Sequence, residues 1–221
     1  MSSPQHVIKQ VPLFGDLTEK ELNLLMASGV RRKFPSKNIV FQEGEPGDFL
    51  LVILSGKVKV LLSGKEGHEF ILTMLGPGNF FGEMALLESA PRSATVMTVE
   101  PSEFFRIEKQ NFADLLASHP GIALKILKGL SQRLRKATEQ IRSLVMFDIY
   151  GRVGRCLLNL AETQGSQEKG QFIIPNRPSF QELAQMVGCS RETLSRAVKI
   201  LRSNGCLTIT RNTIVINNVW K

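Results

Sequence analysis

Cysteine is scarce in this chain and poorly placed for chemistry. Three occur in 221 residues, Cys156, Cys189 and Cys206, odd in number and far apart. No CxxC spacing exists, which argues against a structural zinc, an iron–sulfur cluster or a disulfide framework and leaves three small buried or half-buried side chains. Histidine is equally sparse. His6, His68 and His119 are scattered, and none pairs with an acid or a cysteine at catalytic spacing. With neither a metal nor a nucleophile constellation, an enzyme is not expected. Long apolar runs are missing too. No stretch approaches the roughly 18 apolar residues that a membrane-spanning helix needs. The opening MSSPQHVIKQ lacks an apolar run after its lysine, so it reads as no secretory signal. The expectation is a soluble cytoplasmic protein with no membrane partner.

What is present supports a packed core. Hydrophobic residues make up 43% and charged residues 22%, which disfavours global disorder, and the length suits one large domain or two small ones. Net charge is +8, and it is unevenly spread: ten basic against five acidic residues follow Phe147, eighteen against fifteen precede it. The shorter, C-terminal piece is the more basic, the polarity expected of an end that meets phosphates.

Along the chain the texture changes twice. A short helix opens near Leu17. From about Arg31 to Ile107, short apolar runs are separated by glycine-bearing turns: Phe49–Leu54, Lys57–Leu62, Phe70–Leu75, Ala94–Val99 and Phe104–Ile107. Ser55-Gly56, between the first two runs, reads as a hairpin turn, and the whole as a small sandwich or barrel. After His119-Pro120 the period becomes helical to about Val145. Leu127, Leu130, Leu134, Ala137, Ile141 and Leu144 follow a 3, 4, 3, 4, 3 spacing, the rhythm of a coiled-coil seam. A dimer interface is the reading preferred to a core helix of one domain. A second helix is expected from Asp148 to Ala161, and a polar loop from Gln164 to Gln171.

Near the C-terminus, Ser179-Phe180-Gln181-Glu182 forms a capping box, and Gly188 stops the helix it starts. Ser190 caps the next helix, which Gly205 ends, giving a helix-turn-helix. In that second helix Leu194, Ala197, Val198 and Leu201 turn to a core. Arg191, Glu192, Ser195, Arg196 and Lys199 turn away from it. Arginine donates two bonds to guanine, glutamate accepts from cytosine, and lysine and serine suit phosphates, so this face has the residue types that major-groove reading requires. Leu207–Thr210 and Thr213–Ile216, turning at Arg211-Asn212, suit a wing. An ordinary helical hairpin with a charged, solvated face is the alternative.

The densest chemistry lies in Phe81 to Val96. Gly82 permits a tight backbone approach before a short helical turn, Arg92 offers a fork for a phosphate, Ser93 a hydroxyl, and Glu83 an acceptor for a ribose hydroxyl. A structural Glu83–Arg92 ion pair is the alternative that the residues alone leave open.

Gly82-Glu83-Met84-Ala85-Leu86 with Pro91-Arg92-Ser93-Ala94 resembles the phosphate-binding cassette of cyclic-nucleotide-binding domains. Val187-Gly188-Cys189-Ser190-Arg191-Glu192-Thr193, and Gly151-Arg152 with Leu157–Ala161, extend the resemblance to the catabolite activator (cyclic AMP receptor) protein family of the Crp/Fnr superfamily, over about Gln42 to Val215. The resemblance implies an α+β fold: a cyclic-nucleotide-binding β jelly roll over 1–119, a dimerisation helix over 120–147, and a winged helix-turn-helix over 148–221. It implies a ligand set of Thr73, Gly82, Glu83, Met84, Arg92, Ser93, Arg133 and Thr138, with Glu83 on the ribose, Arg92 and Ser93 on the cyclic phosphate, and Thr138 on the base. It implies double-stranded DNA as partner, Ser190, Arg191, Glu192, Ser195, Arg196 and Lys199 meeting TGTGA-like half-sites, a second copy of the chain, and RNA polymerase. Cyclic AMP is the implied ligand, with no metal, haem or iron–sulfur cluster. One position departs: the family places two hydroxyl residues against the adenine, and here Ala137 stands for the first. That departure brings in cyclic GMP, a cyclic dinucleotide, or a regulator that needs no ligand.

Overall fold

The computed structural model describes residues 8–9, 11, 14–15, 17–64, 69–168 and 170–217, so that His6 and His68 lie outside the described residues. These divide into two compact units: 8–134 without 69–71, and 135–217 with 69–71.

The first unit is built on eight strands: β1 (Gly29–Phe34), β2 (Ile39–Phe41), β3 (Phe49–Ser55), β4 (Val58–Ser63), β5 (Glu69–Leu75, of which 72–75 belong to this unit), β6 (Phe80–Phe81), β7 (Thr95–Thr98) and β8 (Ser102–Glu108). They form two four-stranded sheets, β1-β8-β3-β6 and β2-β7-β4-β5. The unbroken apolar run of β3 follows from cover on both faces. Leu51 and Ile53 join Phe41, Val58, Phe81, Val96 and Phe104 in a core drawn from both sheets. Leu50, Val52 and Leu54 turn the other way, toward Leu22 and Leu25 of α1 (Glu19–Ser28) and Phe112 and Leu115 of α3 (Lys109–Ser118). Successive strand residues alternate faces, so a strand buried on both sides reads as continuously hydrophobic. This is the β-roll expected, with α2 (Glu83–Glu88) inserted after β6.

Ser55-Gly56 is not a hairpin turn. β3 pairs with β8 and β6, while β4 pairs with β7, so the chain changes sheets at this point. Gly56 has φ +89°, and a Cβ there would stand 2.2 Å from Ser102 Oγ. That hydroxyl accepts from Lys57 N, so the glycine is needed for a close approach to the start of β8 as the chain leaves β3.

Helix α4 (Pro120–Met146) runs 27 residues. Ile122 and Ile126 bury against the first unit's outer core. Beyond them the expected seam faces outward: Leu134 is 70% exposed and Ile141 62%, Leu127, Ala137 and Leu144 are exposed, and Leu130 is half-buried.

The second unit packs α5 (Ile149–Gln164), α6 (Phe180–Val187) and α7 (Arg191–Ser203) with a sheet ordered β11 (Leu207–Ile209), β12 (Ile214–Ile216), β10 (Gln171–Ile174), β9 (Ser166–Glu168). Asp148 caps α5 by accepting from Gly151 N at 2.9 Å. The wing is broader than expected. Besides β11 and β12, the sheet includes β10 and β9. The segment taken as a polar loop therefore holds a strand whose three side chains are all exposed, held by backbone pairing that leaves no hydropathy pattern.

Candidate functional site: a buried guanidinium and a helix-turn-helix

Arg92 is the anomaly of the first unit. It is 3% exposed. Its backbone is fixed by an exchange with the 43–48 loop, Gly44 N donating to Arg92 O and Arg92 N to Glu45 O, both at 2.8 Å. The side chain then passes Gly47, where a Cβ would lie 2.4 Å from Ala85 Cβ and 3.1 Å from Arg92 Cζ. Nη1 donates to the Gly82 carbonyl at 2.9 Å. Gly82 caps α2 at φ +86°, and a Cβ there would meet Arg92 Nη1 at 2.7 Å, so both glycines make room for the guanidinium. Nε and Nη2 are buried without a hydrogen-bond partner. Two aromatic rings lie against the group instead, Cζ standing 4.2 Å from the Phe41 ring centroid and 4.4 Å from that of Phe49. Burial lowers the Arg92 pKa from the ordinary guanidinium value, and Asp48 pulls the other way.

Glu83 is 2% exposed, and its partner is not Arg92. Arg133 of α4 donates from Nη1 to Glu83 Oε1 at 2.6 Å and from Nη2 to the Phe80 carbonyl, with its Cζ 4.7 Å from the Phe80 ring. The Glu83–Arg92 ion pair left open by the sequence is thus replaced by a Glu83–Arg133 pair spanning 50 positions. Ser93 is exposed, its hydroxyl 3.5 Å from Met84 Sδ. Thr73 stands on β5, with its hydroxyl on the Met74 carbonyl. Thr138 is exposed on α4 within the second unit. So Gly82, Glu83, Arg92 and Arg133 come together around one point, with Met84 and Ser93 at its edge.

Sequence reading missed Phe41, Phe49 and Gly47. No periodicity links them to Arg92. The only local signal was the pair of phenylalanines bracketing the Gln42–Asp48 loop.

In the second unit the capping box of α6 is present in both directions, Ser179 Oγ accepting from Glu182 N and Glu182 Oε2 from Ser179 N. Gly188 ends α6 at φ +73°. Ser190 Oγ accepts from Thr193 N to open α7. Leu194, Ala197, Val198 and Leu201 are buried with Val153, Leu157, Leu183 and Val187, while Arg191, Glu192, Ser195, Arg196 and Lys199 are exposed on one outward face. Hydrogen bonds from its own backbone N–H and the Ser190 hydroxyl lower the Glu192 pKa, which keeps the carboxylate ionised. Burial pushes the Cys156 thiol up to about 12. Among the described residues, no cluster of His, Cys, Asp or Glu could hold a metal ion, and no helix is long and apolar enough to cross a membrane.

Residues 31–119 match the model of the cyclic nucleotide-binding domain, and residues 151–221 that of the Crp-like helix-turn-helix domain. The chain is 34% identical, over 84% of its length and 83% of the relative's, to the CRP-like cAMP-activated global transcriptional regulator of Mycobacterium tuberculosis. It is 36% identical, over 83% of its length and 88% of the relative's, to the cAMP-activated global transcriptional regulator CRP of Pasteurella multocida. Among solved structures, the c-di-GMP-responsive global regulator CLP of Xanthomonas campestris superposes with a TM-score of 0.78 at 31% identity, covering 90% of this chain and 99% of that one.

Proposed function

The chain belongs to the Crp-like family of cyclic-nucleotide-binding, helix-turn-helix transcription regulators, and from that premise we propose that it is a homodimer whose DNA binding is gated by cyclic AMP. The observation that carries the ligand half is the state of Arg92. A buried charged group with two unpaired donors is costly to fold, and the group that relieves it is an anion. Nε and Nη2 form one edge of the guanidinium, the edge that matches two oxygens of a phosphate. The residues present therefore fit a cyclic phosphate.

On this reading Arg92 and Ser93 hold the phosphate, with backbone N–H groups near Gly82 and Met84 assisting. Glu83 accepts from the ribose hydroxyl. Arg133, already on Glu83, links events at that carboxylate to α4. Thr73 and Thr138 serve the base. The exposed seam of α4 pairs two copies over 120–147, joining nucleotide domains at 1–119 to DNA-reading domains at 148–221. Arg191, Glu192 and Arg196 read base edges in TGTGA-like half-sites, and Ser190, Ser195 and Lys199 meet the backbone. RNA polymerase is the further partner, since a regulator acts at promoters by changing its recruitment or passage.

A cyclic dinucleotide is the second reading. It is favoured by Ala137, which withholds the hydroxyl expected to face adenine, and by the likeness to CLP. Calorimetry on the intact chain tests the site under either ligand. Arg92→Ala is expected to lose nucleotide binding by about a hundredfold or more, as removal of a buried charge-assisted pair implies, while remaining folded. Undiminished affinity in that variant would remove Arg92 from the site.

A further inference from the structure

The covers on Arg92 differ in kind from ordinary partners of a buried arginine. A carboxylate would satisfy the charge but occupy the in-plane N–H donors. An aromatic ring stabilises the charge through its face and leaves every donor free. Here Cζ lies over two rings, Phe41 at 4.2 Å and Phe49 at 4.4 Å, whose centroids stand 6.3 Å apart and so meet it from directions about a right angle apart. The Gly82 carbonyl takes Nη1 alone, and Nε and Nη2 are buried without a hydrogen-bond partner.

Phe49 is itself held. It opens β3 opposite Glu108 of β8, with Arg106 on the diagonal of the same ladder. The Arg106 guanidinium donates to Glu108 from Nε at 2.7 Å and from Nη2 at 3.2 Å, and its Cζ stands 3.8 Å from the Phe49 ring centroid. Phe41 is set by contacts with Phe49, at 6.3 Å between centroids, and with Phe81, at 5.7 Å. The ring positions are thus fixed by the sheets before any ligand arrives.

We propose that Phe41 and Phe49 are positioning residues for anion binding: two rings set at about a right angle around Cζ, together with the Gly82 carbonyl on Nη1, fix the Arg92 guanidinium where its unpaired Nε and Nη2 meet a cyclic phosphate. Arg106 positions the Phe49 ring in turn. The proposal rests on Arg92 being the phosphate ligand. It adds that affinity depends on aromatic faces that never touch the nucleotide.

Calorimetry with cyclic AMP, cyclic GMP and c-di-GMP on wild type, Phe49→Leu, Phe49→Tyr and Phe41→Leu, each checked by thermal unfolding, tests it. The better ligand is expected to bind Phe49→Leu roughly tenfold more weakly, the scale of a desolvated cation–π contact. Phe49→Tyr, which keeps the ring, is expected to restore affinity to within about threefold. A role in packing alone would instead make affinity follow melting temperature, whichever side chain stood there. The Arg92 Nε–H resonance in ¹⁵N NMR supplies the second readout: ring shielding is expected in wild type and Phe49→Tyr and diminished in Phe49→Leu. Wild-type affinity in Phe49→Leu with the resonance unmoved overturns the clamp and leaves Arg92 as ligand. Absence of binding by wild type to all three nucleotides overturns the reading of the site, and the clamp with it.

Discussion

Arg92 and Arg191 are both arginines proposed to meet phosphorylated partners, yet their surroundings are opposite. Arg92 is buried against two aromatic rings with two donors unpaired; Arg191 stands exposed at the first turn of α7. Each environment sets what its loss should do. Arg191→Ala is expected to relax sequence preference, costing about 1–3 kcal/mol of discrimination at one base position. It should weaken binding to scrambled duplex far less. Anisotropy on matched and scrambled duplexes at one salt concentration checks this, and equal losses on both would count against base reading. The two arginines also differ in how legible they were. Arg191 belongs to a local pattern, since buried and exposed positions of α7 follow from helical period within eleven residues of sequence, Arg191 to Leu201. The Arg92 fork was legible as a residue type, but its partners were not. Phe41, Gly47 and Phe49 meet it only after two sheets have paired, and a contact across 51 positions from Phe41 leaves no periodic trace.

At the level of elements, sequence reading succeeded where one force dominated. The long helix α4, its start after His119 and its outward stripe followed from apolar spacing and from proline in the first turn. Two errors have separate causes. Ser55-Gly56 reads as a hairpin because glycine at positive φ serves tight hairpins and inter-sheet crossings alike, and only the position of Ser102 distinguishes them. β9 was invisible because Ser166, Gln167 and Glu168 are all exposed and pair through backbone groups alone. Helix α3 also escaped notice, its buried face amounting to Phe112 and Leu115. The stripe on α4 makes the sharpest test of an element. Leu134 and Ile141 are too exposed to matter to the fold of one copy. In a two-helix seam, glutamate at either position would face its own symmetry mate and place like charges in an apolar contact. Leu134→Glu and Ile141→Glu are each expected to sediment as monomers at concentrations where the wild type is dimeric, with far-UV circular dichroism retained. Dimers persisting in both variants would place the interface elsewhere.

For the whole molecule, the proposed reading is that a nucleotide site in the first unit governs a DNA-reading surface in the second. A buried guanidinium keeps two donors unpaired. Glu83 is paired with Arg133 of α4, and the piece after Phe147 carries ten basic against five acidic residues. Family membership was legible in the cassette from Gly82 to Ala94 and in the turn around Gly188. Which nucleotide would act was not, because Ala137 lacks the hydroxyl that the family resemblance sets against the base. The most direct measurement is fluorescence anisotropy of the intact chain on a pseudo-palindromic TGTGA-like duplex at fixed salt, titrated separately with cyclic AMP, cyclic GMP and c-di-GMP. The account predicts that one of them changes DNA affinity by about tenfold or more, a coupling of roughly 1.4 kcal/mol, and that Arg92→Ala abolishes the change. An identical DNA affinity with and without every nucleotide would contradict it.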